Sequence, residues 1–293
     1  MKTGYVALVG RPNAGKSTLL NHLVGQKICI TSRRPQTTRH RIHGIKTTAE
    51  GQAIYVDTPG IHGEQKRAMN RYLNKTASSA LMGVDVIVWV VDQWSWHPEN
   101  EVVLAQLRNA ACPVVLAVNK IDQCADKEKL LPFLDDAAKR FDFAAIVPIA
   151  ALKNTNLERL EAVIMGLLPE GEPIYPEDQI TDRPQRFFAA EIIREKLIRS
   201  LGQEVPHALT VEIGLYQETD GLTRIHATIW VEREGQKAIV IGKDGEVLKK
   251  VGQRAREDME KTLEHKVYLN LWVKLKKGWS DNERAMQSLG YTE

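Results

Sequence analysis

Cysteine is scarce in this chain of 293 residues. Cys29, Cys112 and Cys124 are scattered, odd in number and without a C-x-x-C pair, so neither a disulfide framework nor a zinc site is indicated. His40 and His43 are closely spaced, but no thiolate or second ligand pair lies near them in the sequence. No apolar run approaches the roughly 20 residues of a membrane helix. The N-terminus enters an apolar stretch after a single lysine, with no room for a signal peptide. A dominant charge is missing too. Forty Lys and Arg face 37 Asp and Glu, with 21 basic against 17 acidic residues through Glu172 and 19 against 20 after it. Any polyanion-binding surface must therefore be local. These absences describe a soluble, cytoplasmic chain, and its 43 % hydrophobic content is enough for two domains with separate cores.

What is present begins with the run Gly10-Arg11-Pro12-Asn13-Ala14-Gly15-Lys16-Ser17. It follows the apolar Tyr5 to Val9 and precedes Thr18 and a helical pattern, which predicts strand, loop and helix. In the spacing G-x-x-x-x-G-K-S, consecutive backbone N–H groups curl around a polyphosphate, Lys16 reaches the β and γ phosphates, and Ser17 offers a hydroxyl to Mg²⁺. The helix N-terminus adds a favourable dipole. A polar stretch, Thr31 to His40, then reads as a loop whose Thr37 and Thr38 are candidates to complete the metal's coordination.

A strand over Gln52 to Val56 runs into Asp57-Thr58-Pro59-Gly60, where Asp57 faces the metal and the Gly60 N–H a γ-phosphate. Apolar runs at Val86–Val91 and Val114–Val118 flank a helical stretch near Glu99 to Ala110, and this alternation predicts a doubly wound, mostly parallel sheet. The second run ends in Asn119-Lys120-Ile121-Asp122. One carboxylate, Asp122, accepts both guanine N1–H and N2–H₂, while the stem of Lys120 lies along the base. Adenine leaves that carboxylate unpaired, at about 1 to 3 kcal/mol. In this order and spacing the motifs resemble those of translation-factor-related small GTPases. The resemblance leads one to expect Ser-Ala-Lys after the last strand, where this chain has Ala150-Ala151-Leu152-Lys153. The serine hydroxyl is missing, and the Ala151 N–H is left to meet guanine O6. Ile61 stands where many GTPases have a water-orienting glutamine.

Pro169, Pro173, Pro176 and Pro184 mark a linker, which divides the chain into a nucleotide domain over 1–168, a linker over 169–185, a second domain over 186–280 and a tail over 281–293. In the second domain the pattern reads α-β-β-α-α-β, with Gly242-Lys243-Asp244-Gly245 between the last two helices. It resembles a type II KH domain, a small α+β fold that clamps about four nucleotides at its G-x-x-G loop. Lys249, Lys250 and Arg254 on the following helix extend the candidate RNA surface. From Lys237 to Arg256 there are six basic and two acidic residues.

A P-loop domain followed by such a KH domain, with Gln36 to Ile42, Ile192 to Lys196 and Gly278-Trp279, resembles the Era family of bacterial GTPases over essentially the whole chain. The resemblance implies a GTPase that uses Mg²⁺ and cycles between GTP and GDP. It further implies binding to the 3′ end of 16S ribosomal RNA during 30S subunit assembly, with peripheral inner-membrane association, and we expect a monomer. The family's nucleotide residues carry over onto Gly10 to Ser17, Asp57 to Ile61 and Asn119 to Asp122. With Ile61 unable to orient water, catalysis falls to Lys16, Thr38, Gly60 and Asn13, the last because related GTPases use this asparagine to hold K⁺. A nucleotide-gated RNA-binding module and a membrane-associated cell-cycle switch are the competing readings.

Overall fold

The computed structural model describes the chain except residues 33, 35, 61–66, 93–95, 125–127, 129, 202–204 and 293. It divides into two compact units, Met1 to Asp182 apart from 67–69, and those three residues with Arg183 to Glu293.

The first unit is built on a six-stranded sheet in the order β2-β3-β1-β4-β5-β6. Its strands are β1 (Lys2–Val9), β2 (Ile42–Thr47), β3 (Gly51–Asp57), β4 (Val86–Val91), β5 (Val114–Val118) and β6 (Ala145–Pro148). All neighbours are parallel except β2 and β3. Val6 to Val9, Val86 to Val91 and Val114 to Val118 are buried, as the near-continuous β-branched runs of strands covered on both faces require. The helices are α1 (Lys16–Val24), α2 (Ala68–Ser79), α3 (Pro98–Leu107), α4 (Leu130–Arg140) and α5 (Leu157–Leu167). The antiparallel β2 has no counterpart among the sequence expectations, because Ile42-His-Gly-Ile-Lys-Thr is too short and mixed to show alternation.

That edge strand explains the proline-rich segment. Residues 169–182 hold neither helix nor strand, yet they are laced to the first unit. Ile45 N–H donates to Ile180 O at 2.9 Å, Thr3 N–H to Pro169 O at 2.9 Å, and His43 N–H to the Asp182 carboxylate at 3.1 Å. The segment thus covers the open side of β2, whose N–H and C=O groups would otherwise be available to another chain. Gln52, fully buried, fastens it. Its Oε1 accepts from the N–H groups of Ile174 (2.8 Å) and Tyr175 (2.9 Å), and its Nε2 donates to Tyr175 O (2.8 Å).

The second unit contains α6 (Gln185–Ser200), β7 (Leu209–Thr219), β8 (Leu222–Val231), α7 (Glu234–Ile241), α8 (Glu246–Leu263), β9 (Lys266–Leu275) and α9 (Glu283–Ser288). Its sheet runs β7-β8-β9, with the first pair antiparallel and the second parallel. This is the type II KH order. Ile193 and Leu197 of α6 and Val251, Ala255 and Met259 of α8 meet Ile225, Ala227 and Ile229 of the sheet in one core. Also on α6, Arg194, 2 % exposed, donates from Nε and Nη2 to Glu191 at 2.7 and 2.6 Å, the pairing that a buried guanidinium needs.

Replacing Gln52 by Ala leaves the Ile174 and Tyr175 N–H groups without their acceptor. The expected loss is about 2 to 4 kcal/mol in urea unfolding, together with faster proteolysis within 170–180. Parent-like cleavage there would show that the prolines alone hold the segment.

Candidate functional site

The loop from Gly10 to Lys16 turns at the carboxyl end of β1, and its geometry depends on Gly15, which caps α1 at φ 103°. A Cβ on Gly15 would lie 2.2 Å from Asn119 Nδ2, so a side chain is excluded sterically as well as conformationally. Asn13, exposed, takes φ 64°, as asparagine tolerates in turns. Lys16 is 6 % exposed and donates from Nζ to the carbonyls of Gly10 (3.0 Å) and Arg11 (2.9 Å). Burial lowers its pKa to about 8, against the opposing pull of Asp57 and Asp92.

Three residues placed far apart in the chain as metal ligands come together. Ser17 Oγ lies 2.8 Å from Thr38 Oγ1 and donates to Asp57 Oδ2 at 2.8 Å, and Thr38 Oγ1 is 3.2 Å from the same oxygen. Asp57 is fully buried, its other oxygen Oδ1 has no hydrogen-bond partner among the described residues, and burial raises its pKa despite Lys16, the two hydroxyls and Cys29. An all-oxygen donor set with an unpaired buried carboxylate oxygen fits a hard dication such as Mg²⁺. Thr37 parts from Thr38. Its hydroxyl lies 2.6 Å from Ser32 Oγ and donates to Arg34 O at 2.7 Å, inside the loop. A cleft opens here, lined by Pro12, Asn13, Gly15 to Ser17, Gly60 and loop residues Ile30 to Ser32, Arg34 and Gln36 to Thr38. Thr58 is buried and donates to Leu8 O at 2.9 Å, while Ile61 lies outside the described residues.

At the other end, Asn119 is 2 % exposed and ties three segments together. Its Nδ2 donates to Ala14 O (2.8 Å), and its Oδ1 accepts from the N–H groups of Lys120 (2.8 Å) and Ala151 (2.9 Å). The Ala151 N–H expected to meet a base oxygen therefore serves Asn119 here. Ala150, buried, pairs with Thr155. Asp122 is exposed on the turn Ile121–Gln123. Lys120 reaches over the P-loop, with Nζ 2.8 Å from Asn13 O and 2.7 Å from Asp92 Oδ2. Asp92, which sequence reasoning missed, also binds Arg11 at 2.8 Å. Its signal was available, since it is a carboxylate just past a buried strand, as Asp57 is at the end of its own.

In the second unit, Gly242 to Gly245 join α7 to α8. Gly242 has φ 75°, and a Cβ there would fall 2.5 Å from Val247 Cγ2. Lys243, Asp244, Lys249, Lys250 and Arg254 are exposed, whereas Arg256 is partly buried and bonds Glu260 at 3.0 Å.

Comparison with known proteins agrees with both halves. Residues 5–120 match the family described as 50S ribosome-binding GTPase, and residues 204–280 match the KH domain. GTPase Era of Ectopseudomonas mendocina is 56 % identical over 100 % of this chain and 98 % of its own length. The chain belongs to the Era family of GTPases. Era of Haemophilus influenzae is 55 % identical, covering 99 % of this chain and 96 % of its own. Two Era crystal structures each superpose with a TM-score of 0.95 at 40 % identity, covering all of both chains. One is an Aquifex aeolicus Era variant bound to GDP·AlF4⁻, and the other is Era with MgGDPNP and nucleotides 1506–1542 of 16S ribosomal RNA. The P-loop fold followed by a type II KH domain is thus the Era arrangement.

Two outcomes follow from this geometry. The nucleotide-free Lys16 loses its proton as pH rises through about 8, so GDP affinity is expected to fall above that pH and phosphate binding to take up a proton. Calorimetry in buffers of different ionisation enthalpy measures the uptake, and none at pH 8.5 would contradict the shift. Asp92→Asn, which removes the charge holding Lys120 and Arg11, is expected to weaken GDP binding roughly tenfold. Unchanged affinity in a fluorescent-nucleotide titration would leave Asp92 a bystander.

Proposed function

We propose that the protein binds and hydrolyses GTP, and that through its KH domain it binds the single-stranded 3′ end of 16S ribosomal RNA in 30S subunit assembly. The observation carrying this reading is the Ser17, Thr38 and Asp57 cluster beside a desolvated Lys16. The KH loop Gly242 to Gly245 supplies the RNA half, and the related Era bound to a 16S fragment supports it.

In this reading the P-loop N–H groups and Lys16 hold the β and γ phosphates, and the Gly60 N–H meets the γ-phosphate. Asp122 accepts the two guanine donors, with the Lys120 stem along the base. Ser17, Thr38 and Asp57 would hold Mg²⁺, which when bound neutralises charge on the β and γ oxygens. Thr38 reaches that cluster from the loop, so closing the loop and completing the site are one event. Isoleucine at 61 carries no group to orient water. We assign the missing transition-state charge to a K⁺ site that uses Asn13 and backbone carbonyls of the loop from Ser32 to Thr38, of which Ser32, Arg34 and Gln36 to Thr38 line the same cleft as Asn13.

Lys243, Lys249, Lys250 and Arg254 meet the RNA backbone beside the glycine loop. The reading extends to a monomeric, cytoplasmic protein with peripheral association at the inner membrane. Among the described residues no helix is long and apolar enough to cross a membrane.

Single-turnover GTP hydrolysis, with and without a 16S 3′-end fragment and in K⁺ or Na⁺ at matched ionic strength, tests the proposal. RNA should raise the rate, and K⁺ should exceed Na⁺ by at least roughly tenfold in the parent but not in Asn13→Ala. Equal rates in the two salts would remove the ion, and stimulation that survives Asn13→Ala would remove its ligand. RNA binding gated by nucleotide but without turnover would favour the binding-module reading.

A further inference from the structure

The KH sheet has a second face. Ile225, Ala227, Ile229 and Val231 of β8 turn toward the helices, which sends Arg224, His226, Thr228 and Trp230 to the other side. Register places Tyr268, Asn270, Trp272 and Lys274 of β9 beside them. Among the described residues, the large exposed hydrophobic side chains include two aromatics, Tyr268 (53 % exposed) and Trp272 (41 %), and both stand on this face of one edge strand. A solvated sheet face gains nothing from exposing two such rings.

No two of these rings stack face on face. His226 meets Tyr268 at 6.2 Å and 62° and Trp272 at 5.3 Å and 79°, edge-on contacts that do not stack one face upon another. Trp230 is used differently. Its ring carries Lys274 and Lys276, with Nζ 5.9 and 5.7 Å from the centroid, and its Nε1 donates to Glu212 at 2.7 Å. The face therefore combines unstacked rings with ammonium groups held at one end and Arg224 at the other. Glu212, the acidic residue that register places on this side, is already engaged by Trp230. Half-exposed aromatic rings bordered by cations match single-stranded nucleic acid, whose bases stack while its phosphates seek positive charge. An apolar protein partner would use the rings and leave the cations without a counter-charge; an anionic lipid headgroup layer offers charge but no flat ring to stack.

We propose that this outer face of the KH sheet, centred on Tyr268, Trp272 and His226, is a second single-stranded RNA site that stacks bases beyond those held at the glycine loop. It rests on the reading that the KH domain binds RNA. The glycine loop joins the two helices of the opposite layer, and β9 is an edge of the sheet. A strand longer than the loop's four nucleotides can pass round that edge to the rings.

The test uses the full chain and labelled oligouridylates of about 4 and about 12 nucleotides at fixed salt. Tyr268→Ala with Trp272→Ala should weaken the long oligomer by about tenfold or more and leave the short one, GDP affinity and thermal stability unchanged. Trp272→Phe, which keeps a ring, should restore most of the loss contributed by that position. Gly242→Asp with Gly245→Asp should weaken both lengths, so the loop reading and the sheet-face proposal fail separately. The proposal is overturned if the double alanine variant binds the long oligomer as the parent does, or loses both lengths alike. It is also overturned if that variant loses only binding to anionic phospholipid vesicles, which would make the face a membrane contact.

Discussion

An ammonium and a carboxylate, both removed from water at the carboxyl ends of neighbouring parallel strands, set the terms for the first unit. Lys16 is driven toward its neutral form and Asp57 toward protonation, each by burial and each restrained by the other. Neither is comfortable alone, and a polyphosphate with a dication relieves both. The register of β1 on β3, with Leu8 opposite Asp57, brings the two together. Thr58 bonding Leu8 O locks that register just past the strand. Loop residue Thr38 completes the cluster through hydroxyl contacts alone, so its hold is weak compared with the strands beneath it.

The base end is coupled to the phosphate end by polar side chains. Asn119 binds the P-loop carbonyl of Ala14 and the N–H of Ala151, and Lys120 and Arg11 converge on Asp92. A buried amide with its groups engaged fixes position more tightly than the partly exposed Lys120 side chain or the exposed Asp122 can. In the proposed reading, nucleotide recognition would have its more fixed centre at the buried Asn119 and a more adjustable rim at Lys120 and Asp122.

The second unit separates packing from recognition by the pleat of one sheet. Odd-numbered β8 residues form the core with α6 and α8, and even-numbered ones are left for a partner. Because the strand period is two, neither set can change face without a shift in register. The buried Glu191 and Arg194 pair in α6 adds a geometric constraint to a core of aliphatic side chains.

Motifs whose chemistry depends on near neighbours were legible in the chain. The P-loop, Asp57 to Gly60, Asn119 to Asp122 and Gly242 to Gly245 each carry their meaning within a few residues, and β-branched runs announce buried parallel strands. Contacts between distant segments were not legible. The antiparallel β2, the attachment of 169–182 by Gln52, the separation of Thr37 from Thr38 and the role of Asp92 all require knowing which strand lies beside which. Sequence alone determined the buried parallel strands, the phosphate loop and the two-domain plan, because these follow from local periodicity and local backbone chemistry. Tertiary structure alone decided which hydroxyl meets Asp57, which N–H Asn119 takes and which aromatic rings remain open to solvent, because hydrogen-bond reach and burial are set by the packing of segments far apart in the chain.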